Sequence, residues 1–150
     1  MRKFVALAAV LSFAGCAAPP PPPPPVLTLN IAGSAGQNPD PTGAGTTVAV
    51  RVYELAATGK FQAADVYTLT GSESTALGTD EVTGSTQFLI APGQVQSQTL
   101  NLPPGVNFVG IAVLFREINQ SSWKLTAPVA AHGPTTITVQ VQKLGASLKN

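Results

Sequence analysis

From Val26 onward the apolar residues of this chain recur mostly at every second position, a spacing that admits strands and few helices. In Thr135 to Leu144, Ile137, Val139 and Val141 alternate with Thr136, Thr138, Gln140 and Gln142. Side chains on an extended backbone point alternately to opposite faces, so such a segment has one buried and one wetted face. Leu27, Leu29 and Ile31 alternate with Thr28 and Asn30, and Val48, Val50 and Val52 do so around Arg51. Gln87 to Ile90, Val95 to Leu102 and Trp123 to Val129 read as further strands. Asn107 to Phe115 (NFVGIAVLF) is nearly all apolar, as expected of a strand covered on both sides. Ala91-Pro92-Gly93-Gln94 reads as a hairpin turn with Pro at its first central position. Gly59 to Leu69 loses the alternation and fits a short helix, and the Ser/Thr/Gly-rich stretch Gly71 to Gly84 reads as irregular. Seven or eight short strands without a fixed repeat predict an all-β, two-sheet antiparallel sandwich with one or two short helices.

Composition narrows the function classes. The 150 residues suit one domain, and the charged fraction of 10% is well under the ~25% of ordinary soluble proteins. Arg2 and Lys3 supply much of the small positive charge; the chain beyond the leader is close to neutral, which excludes the electrostatic footprint of a nucleic-acid binder. A single cysteine excludes an internal disulfide.

That cysteine has a telling position. MRKFVALAAVLSFAGC joins a basic start, an apolar run from Phe4 to Phe13 and the small residues Ala14 and Gly15. The run is too short to cross a bilayer, which takes about 20 residues. Phe13-Ala14-Gly15-Cys16 resembles a bacterial lipobox, with Phe13 where Leu, Val or Ile is usual. In such a motif the cysteine thiol is alkylated by a diacylglycerol, the leader is cut, and the freed amine takes another acyl chain. Several chains together hold a protein at a membrane durably, each buried methylene contributing roughly 0.8 kcal/mol. Ala17, not Asp, follows the cysteine, which by resemblance to sorted lipoproteins points to the outer membrane. Pro19 to Pro25 form a stiff polyproline spacer of roughly 20 Å. The expected organisation is a signal peptide over 1–15, a lipidated Cys16 with its spacer over 16–25, and a β-sandwich domain over 26–150.

Catalytic constellations are sparse. His132, the sole histidine, sits in the loop Ala131-His132-Gly133-Pro134 and reads as a solvated side chain. Asp80-Glu81 reads as a solvated carboxylate pair, since sequence neighbours on a strand point apart. Asn38, Asp40 and Glu54 offer oxygen ligands without calcium-loop spacing. Gly43 and Gly45 lack the Lys-Ser/Thr of a phosphate loop. Trp123 and Phe108 read as core. No catalytic residue, metal or cofactor is expected.

Ser34 to Gly45 (SAGQNPDPTGAG) is longer than most connections in a compact domain. It belongs to an ordered series: Cys16; Leu27-Thr28-Leu29-Asn30-Ile31; Asn38-Pro39-Asp40 with Gly43; Val48 to Leu55 (VAVRVYEL); Phe61 with Ala64-Asp65; Leu89 to Gly93; Phe108 to Ala112; Phe115-Arg116; Trp123-Lys124. Together these segments resemble the TssJ family, the outer-membrane lipoproteins of the type VI secretion system. The resemblance implies a transthyretin-like sandwich with a small helical addition and a loop protruding between the first two strands. It implies a structural role at the outer membrane, exercised by binding the periplasmic C-terminal region of the inner-membrane protein TssM, which works with TssL. In this chain the loop maps to residues 33–45, and the expected partner contacts are Gln37, Asn38, Pro39, Asp40 and Thr42, with Pro41 stiffening it. The other readings are a pilotin-like or ligand-carrying lipoprotein of another envelope system, and a ureide hydrolase of transthyretin-like fold. The hydrolase needs several histidines, and this chain has one.

Overall fold

Residues 18–149 are described by a computed structural model, in which backbone pairing defines eight strands. They are β1 (Pro25–Gly33), β2 (Val48–Leu55), β3 (Glu81–Ile90), β4 (Val95–Asn101), β5 (Phe108–Leu114), β6 (Lys124–Pro128), β7 (Gly133–Val141) and β8 (Ala146–Lys149). One sheet has the order β4-β1-β7-β8 and the other β3-β2-β5-β6. Every pairing is antiparallel except β1 with β7, which run parallel from Pro25↔Gly133 to Gly33↔Val141. The leader and Cys16 lie outside the described residues.

The alternating residues do what their spacing demands. Leu27, Leu29 and Ile31 from β1 meet Val48, Val50 and Val52 from β2, with Val109, Ile111 and Val113 of β5 and Val139 and Val141 of β7 in the same cluster. A second cluster unites Tyr53, Leu55 and Ala112 with Phe61, Leu69 and Leu77. These come from the outer face of the β2–β5 sheet and from three short helices, α1 (Gly59–Ala63), α2 (Val66–Gly71) and α3 (Glu73–Leu77). The helical layer explains why β5 is apolar on both faces. It also exceeds the one or two helices expected from the sequence.

Close packing fixes this layer. A Cβ on Gly110 would come within 2.8 Å of the Phe61 ring, so the bare glycine lets the ring lie against β5. Phe61 and Tyr53 have ring centroids 5.2 Å apart. Lys124 Nζ donates to the carbonyl oxygens of Phe61, Gln62 and Ala64 at 3.2, 2.8 and 2.6 Å, satisfying the end of α1 from β6. The Asp65 carboxylate caps α2 by accepting from the amides of Tyr67 and Thr68 at 2.8 and 2.9 Å.

Two sequence expectations change. Gly71 to Gly84 is ordered as the end of α2, then α3, a 3-10 turn at Gly78–Asp80 and the first residues of β3. Ser, Thr and Gly carry little helical signal, and buried Leu77 and Glu73, which accepts from Ser85, supply the order instead. The turn at 91–94 does form, with Gly93 at φ 73° and the Gln94 amide donating to Ala91 O at 3.0 Å. It makes no hairpin, however: β3 pairs with β2 and β4 with β1, so the turn carries the chain between sheets.

Candidate functional site

The segment between β1 and β2 is long because it is a built loop. At its root Gln37 is fully buried, and its Nε2 donates to Ile90 O at 2.7 Å and to Thr46 O at 3.3 Å. Asn38, 6% exposed, has φ 44°, a left-handed conformation that Asn tolerates better than most residues. Its Nδ2 donates to Thr46 Oγ1 and Thr47 O at 3.0 Å each, and its Oδ1 accepts the Arg116 amide at 2.7 Å. The Asn38 amide donates to Lys143 O at 3.0 Å. Two buried carboxamides thereby tie the root to β3 and the segment after β5, and the Asn38 main-chain amide ties it to the β7–β8 turn.

Beyond the root the chain closes on one carboxylate. Asp40 Oδ1 accepts from Thr42 Oγ1 at 2.6 Å, from the Thr42 amide at 2.8 Å and from the Ala44 amide at 3.1 Å. The Asp40 amide donates to Ala44 O, and the Gly43 amide to Asp40 O, both at 2.9 Å. The Thr42 hydroxyl is the main influence holding the Asp40 carboxyl below its ordinary pKa, with the Ala44 and Thr42 amides and the Arg116 charge adding to it. Pro41, Thr42, Gly43 and Ala44 are exposed, and Pro39 and Asp40 are half-buried. The outcome is a pre-shaped tip closed on the Asp40 carboxylate.

Of the expected contacts, Pro39, Asp40 and Thr42 lie at this tip. Gln37 and Asn38 do not offer surface: their amides are spent inside the protein, holding the loop's shape. Polar residues in a Gly/Pro-rich loop read as exposed, and nothing in the sequence signals their partners 53 and 78 residues away.

Arg116 also joins the site. It is exposed beside Asp40, and it also lines an apolar groove of about 350 Å³ with Val66, Tyr67, Thr70, Leu114, Phe115 and Ile118. Tyr67, 72% exposed, stands at its edge.

The possible chemical groups stay dispersed. Glu54 accepts from Thr83 on the neighbouring strand, away from Asn38 and Asp40. Among the described residues no three His, Cys, Asp or Glu side chains cluster as metal ligands. His132 is exposed between β6 and β7. Asp80-Glu81 is not simply solvated. Asp80 accepts the Lys60 amide at 3.1 Å, and Glu81 is half-buried next to Glu73 with one carboxyl oxygen unpartnered.

Comparison with known proteins decides the family. The family model of type VI secretion lipoproteins, which groups VasD, EvfM and TssJ, matches residues 25–144. This chain belongs to that family. TssJ-family proteins are structural secretion lipoproteins associated with membranes, not enzymes. The TssJ1 lipoprotein of Pseudomonas aeruginosa is 21% identical, with a TM-score of 0.80 over 85% of this chain and 96% of that one. Lip of Serratia marcescens, a membrane-bound type VI component, is 16% identical with a TM-score of 0.77, covering 85% and 97%. A chain in the structure of the TssM C-terminal domain from EAEC is 22% identical with a TM-score of 0.72, covering 84% and 98%. At these identities the likenesses establish the shared sandwich. No curated protein sequence matches the chain.

Proposed function

We propose that this chain is an outer-membrane lipoprotein that anchors the type VI secretion membrane complex by binding the periplasmic C-terminal region of TssM, and through it reaches TssL. The observation that carries the proposal is the family match over 25–144, which takes in β1 to β7 and the loop between β1 and β2. The FAGC sequence supports lipidation at Cys16, and Ala17 favours retention at the outer membrane. Pro23 and Pro24 accept from the Gly133 amide and Pro25 opens β1, so Pro19 to Pro22 remain as spacer and hold the sandwich off the bilayer by roughly 12 Å.

Docking falls to the tip, Pro39 to Ala44, of which Pro41 to Ala44 are exposed. Two prolines fix φ there and the Asp40 carboxylate closes the turn, so little conformational entropy is lost when a partner binds. The role is mechanical: a lipid at one end, a protein contact at the other and a rigid sandwich between.

The test is affinity purification of the tagged full-length lipoprotein from detergent-solubilised envelopes, with mass spectrometry of what accompanies it. TssM and TssL should be recovered. Pilus or secretin components in place of TssM would refute the proposal and favour a pilotin.

A further inference from the structure

Two four-stranded sheets have four edges, and three of them carry features that discourage further pairing. The β8 edge is four residues long and bears Lys149. The β6 edge is five residues long, with Lys124 at its start and Pro128 at its end. The β3 edge contains Gly84, and its register with β2 shifts twice, between Val52 and Glu54 and between Glu54 and Leu55.

The β4 edge has none of these devices. Val95-Gln96-Ser97-Gln98-Thr99-Leu100-Asn101 contains no charge and no proline, and pairs with β1 in unbroken register over seven residue pairs. Among the described strands β4 is bonded to β1 alone, so its other side presents main-chain amides and carbonyls to solvent. Val95, Ser97, Thr99 and Asn101 are exposed, Val95 at 73%. A long, flat, uncharged edge is the surface to which an extended segment adds as a further strand, with main-chain hydrogen bonds giving the affinity.

Its position suggests whose strand. β4 begins at the root of the loop, where Ala32 pairs with Val95 and the Gly33 amide donates to Gln94 O at 2.8 Å. It ends beside the spacer, where the Leu102 amide donates to Pro25 O at 3.1 Å. A chain docked on the loop can therefore continue along β4 towards the membrane. A second copy suits the edge poorly. Antiparallel pairing about a two-fold axis would send the two spacers to opposite ends, whereas two lipidated chains in one membrane need them on the same side.

We infer that the β4 edge takes an extended, uncharged strand of the docking partner, enlarging the β4-β1-β7-β8 sheet to five strands. This rests on the proposed docking to TssM, and the experiment separates the two. Full-length lipoprotein in detergent is followed by hydrogen exchange with and without the TssM periplasmic C-terminal region. Binding should slow exchange along 95–101 at least tenfold. A Ser97→Lys/Thr99→Lys variant, changed only at exposed positions, should keep its circular dichroism and melting temperature while losing at least tenfold in affinity. Binding by wild type with no change at β4, and full affinity in the double-lysine variant, would overturn the inference and leave the docking proposal standing. No binding by wild type would overturn both. Protection at β4 without TssM, with a dimer in sedimentation, would assign the edge to a second copy and overturn the inference.

Discussion

Asn38 Oδ1 accepts the main-chain amide of Arg116 at 2.7 Å, joining the loop after β1 to the segment after β5 across 78 residues of sequence. The same carboxamide donates to Thr46 and Thr47, where the chain returns towards β2. One side chain thus closes the loop on itself and fixes it to the sandwich.

Asn38→Ala removes that clamp and leaves the Arg116 amide without its acceptor. Orphaning a largely buried polar group costs about 1–3 kcal/mol. Urea denaturation should show a loss of about 2 kcal/mol; a change under about 0.5 kcal/mol would mean that water replaces the clamp freely.

Gly33 and Gln37 form a second coupled pair. A Cβ at position 33 would fall 2.3 Å from Gln37 Oε1, so Gly33→Ala must push the buried carboxamide from its place. Gln37→Ala and Gly33→Ala should each destabilise by about 1–3 kcal/mol, and the double variant by clearly less than their sum. Full additivity in a double-mutant cycle would contradict the coupling.

Gly110→Ala tests the helical layer. Its methyl group meets the Phe61 ring, which is buried with Tyr53, Leu69 and Leu77 and cannot easily move aside. Overpacking of this kind costs about 1–3 kcal/mol. Thermal melts should detect the loss, and a double variant with Phe61→Leu should recover part of it.

Stability should also depend on the Glu73 and Glu81 pair. Burial, followed by the hydrogen bond with Glu73 and its charge, raises the Glu81 carboxyl from 4.5 to about 7. For Glu73 burial acts in the same upward sense, but hydrogen bonds from Glu81 and Ser85 and the charge of Arg51 outweigh it and lower its pKa. Between pH 4.5 and about 7 the folded state keeps a Glu81 proton that the unfolded chain releases, so stability falls as pH rises through that window. Glu81→Gln should leave stability at pH 5 nearly unchanged and raise it at pH 8 by about 1 kcal/mol, the effect being moderated by solvent near the pair. Parallel pH profiles for the two proteins would exclude this assignment.

Cys16→Ser should abolish metabolic labelling with palmitate and type VI secretion, while the melting temperature of the sandwich stays unchanged. Secretion at the wild-type level from such a strain would contradict a lipid-anchored role.

Much of the sandwich is legible in the sequence because alternation and burial coincide in β1, β2 and β7. β5 is legible for a different reason: the helices cover its second face, so Phe108 to Leu114 is nearly all apolar. β3 is concealed by its first half, where Thr83, Gly84, Ser85 and Thr86 give no apolar alternation. The turn at Pro92-Gly93 is readable as a turn, but local sequence does not encode which strands it joins. The loop is visible from its length and composition. Its division into a buried root at Gln37 and Asn38 and an exposed tip at Pro41 to Ala44 depends on partners distant in sequence. The charge of Arg116 signals exposure, but not its place beside Asp40, which depends on pairing between segments distant in sequence.

The most direct test of the central claim is a binding titration of the full-length lipoprotein in detergent against the TssM periplasmic C-terminal region. Wild type is compared with a variant in which Pro39, Pro41 and Thr42 are replaced by glycine. These changes spare the Gln37 and Asn38 clamps, so the sandwich should still fold cooperatively, with a melting temperature lowered only by the added entropy of the unfolded loop. Docking through the tip predicts saturable binding by wild type and at least a tenfold loss in the variant. Equal affinity in the two proteins would contradict docking through the tip, and no binding by wild type would contradict the docking role itself.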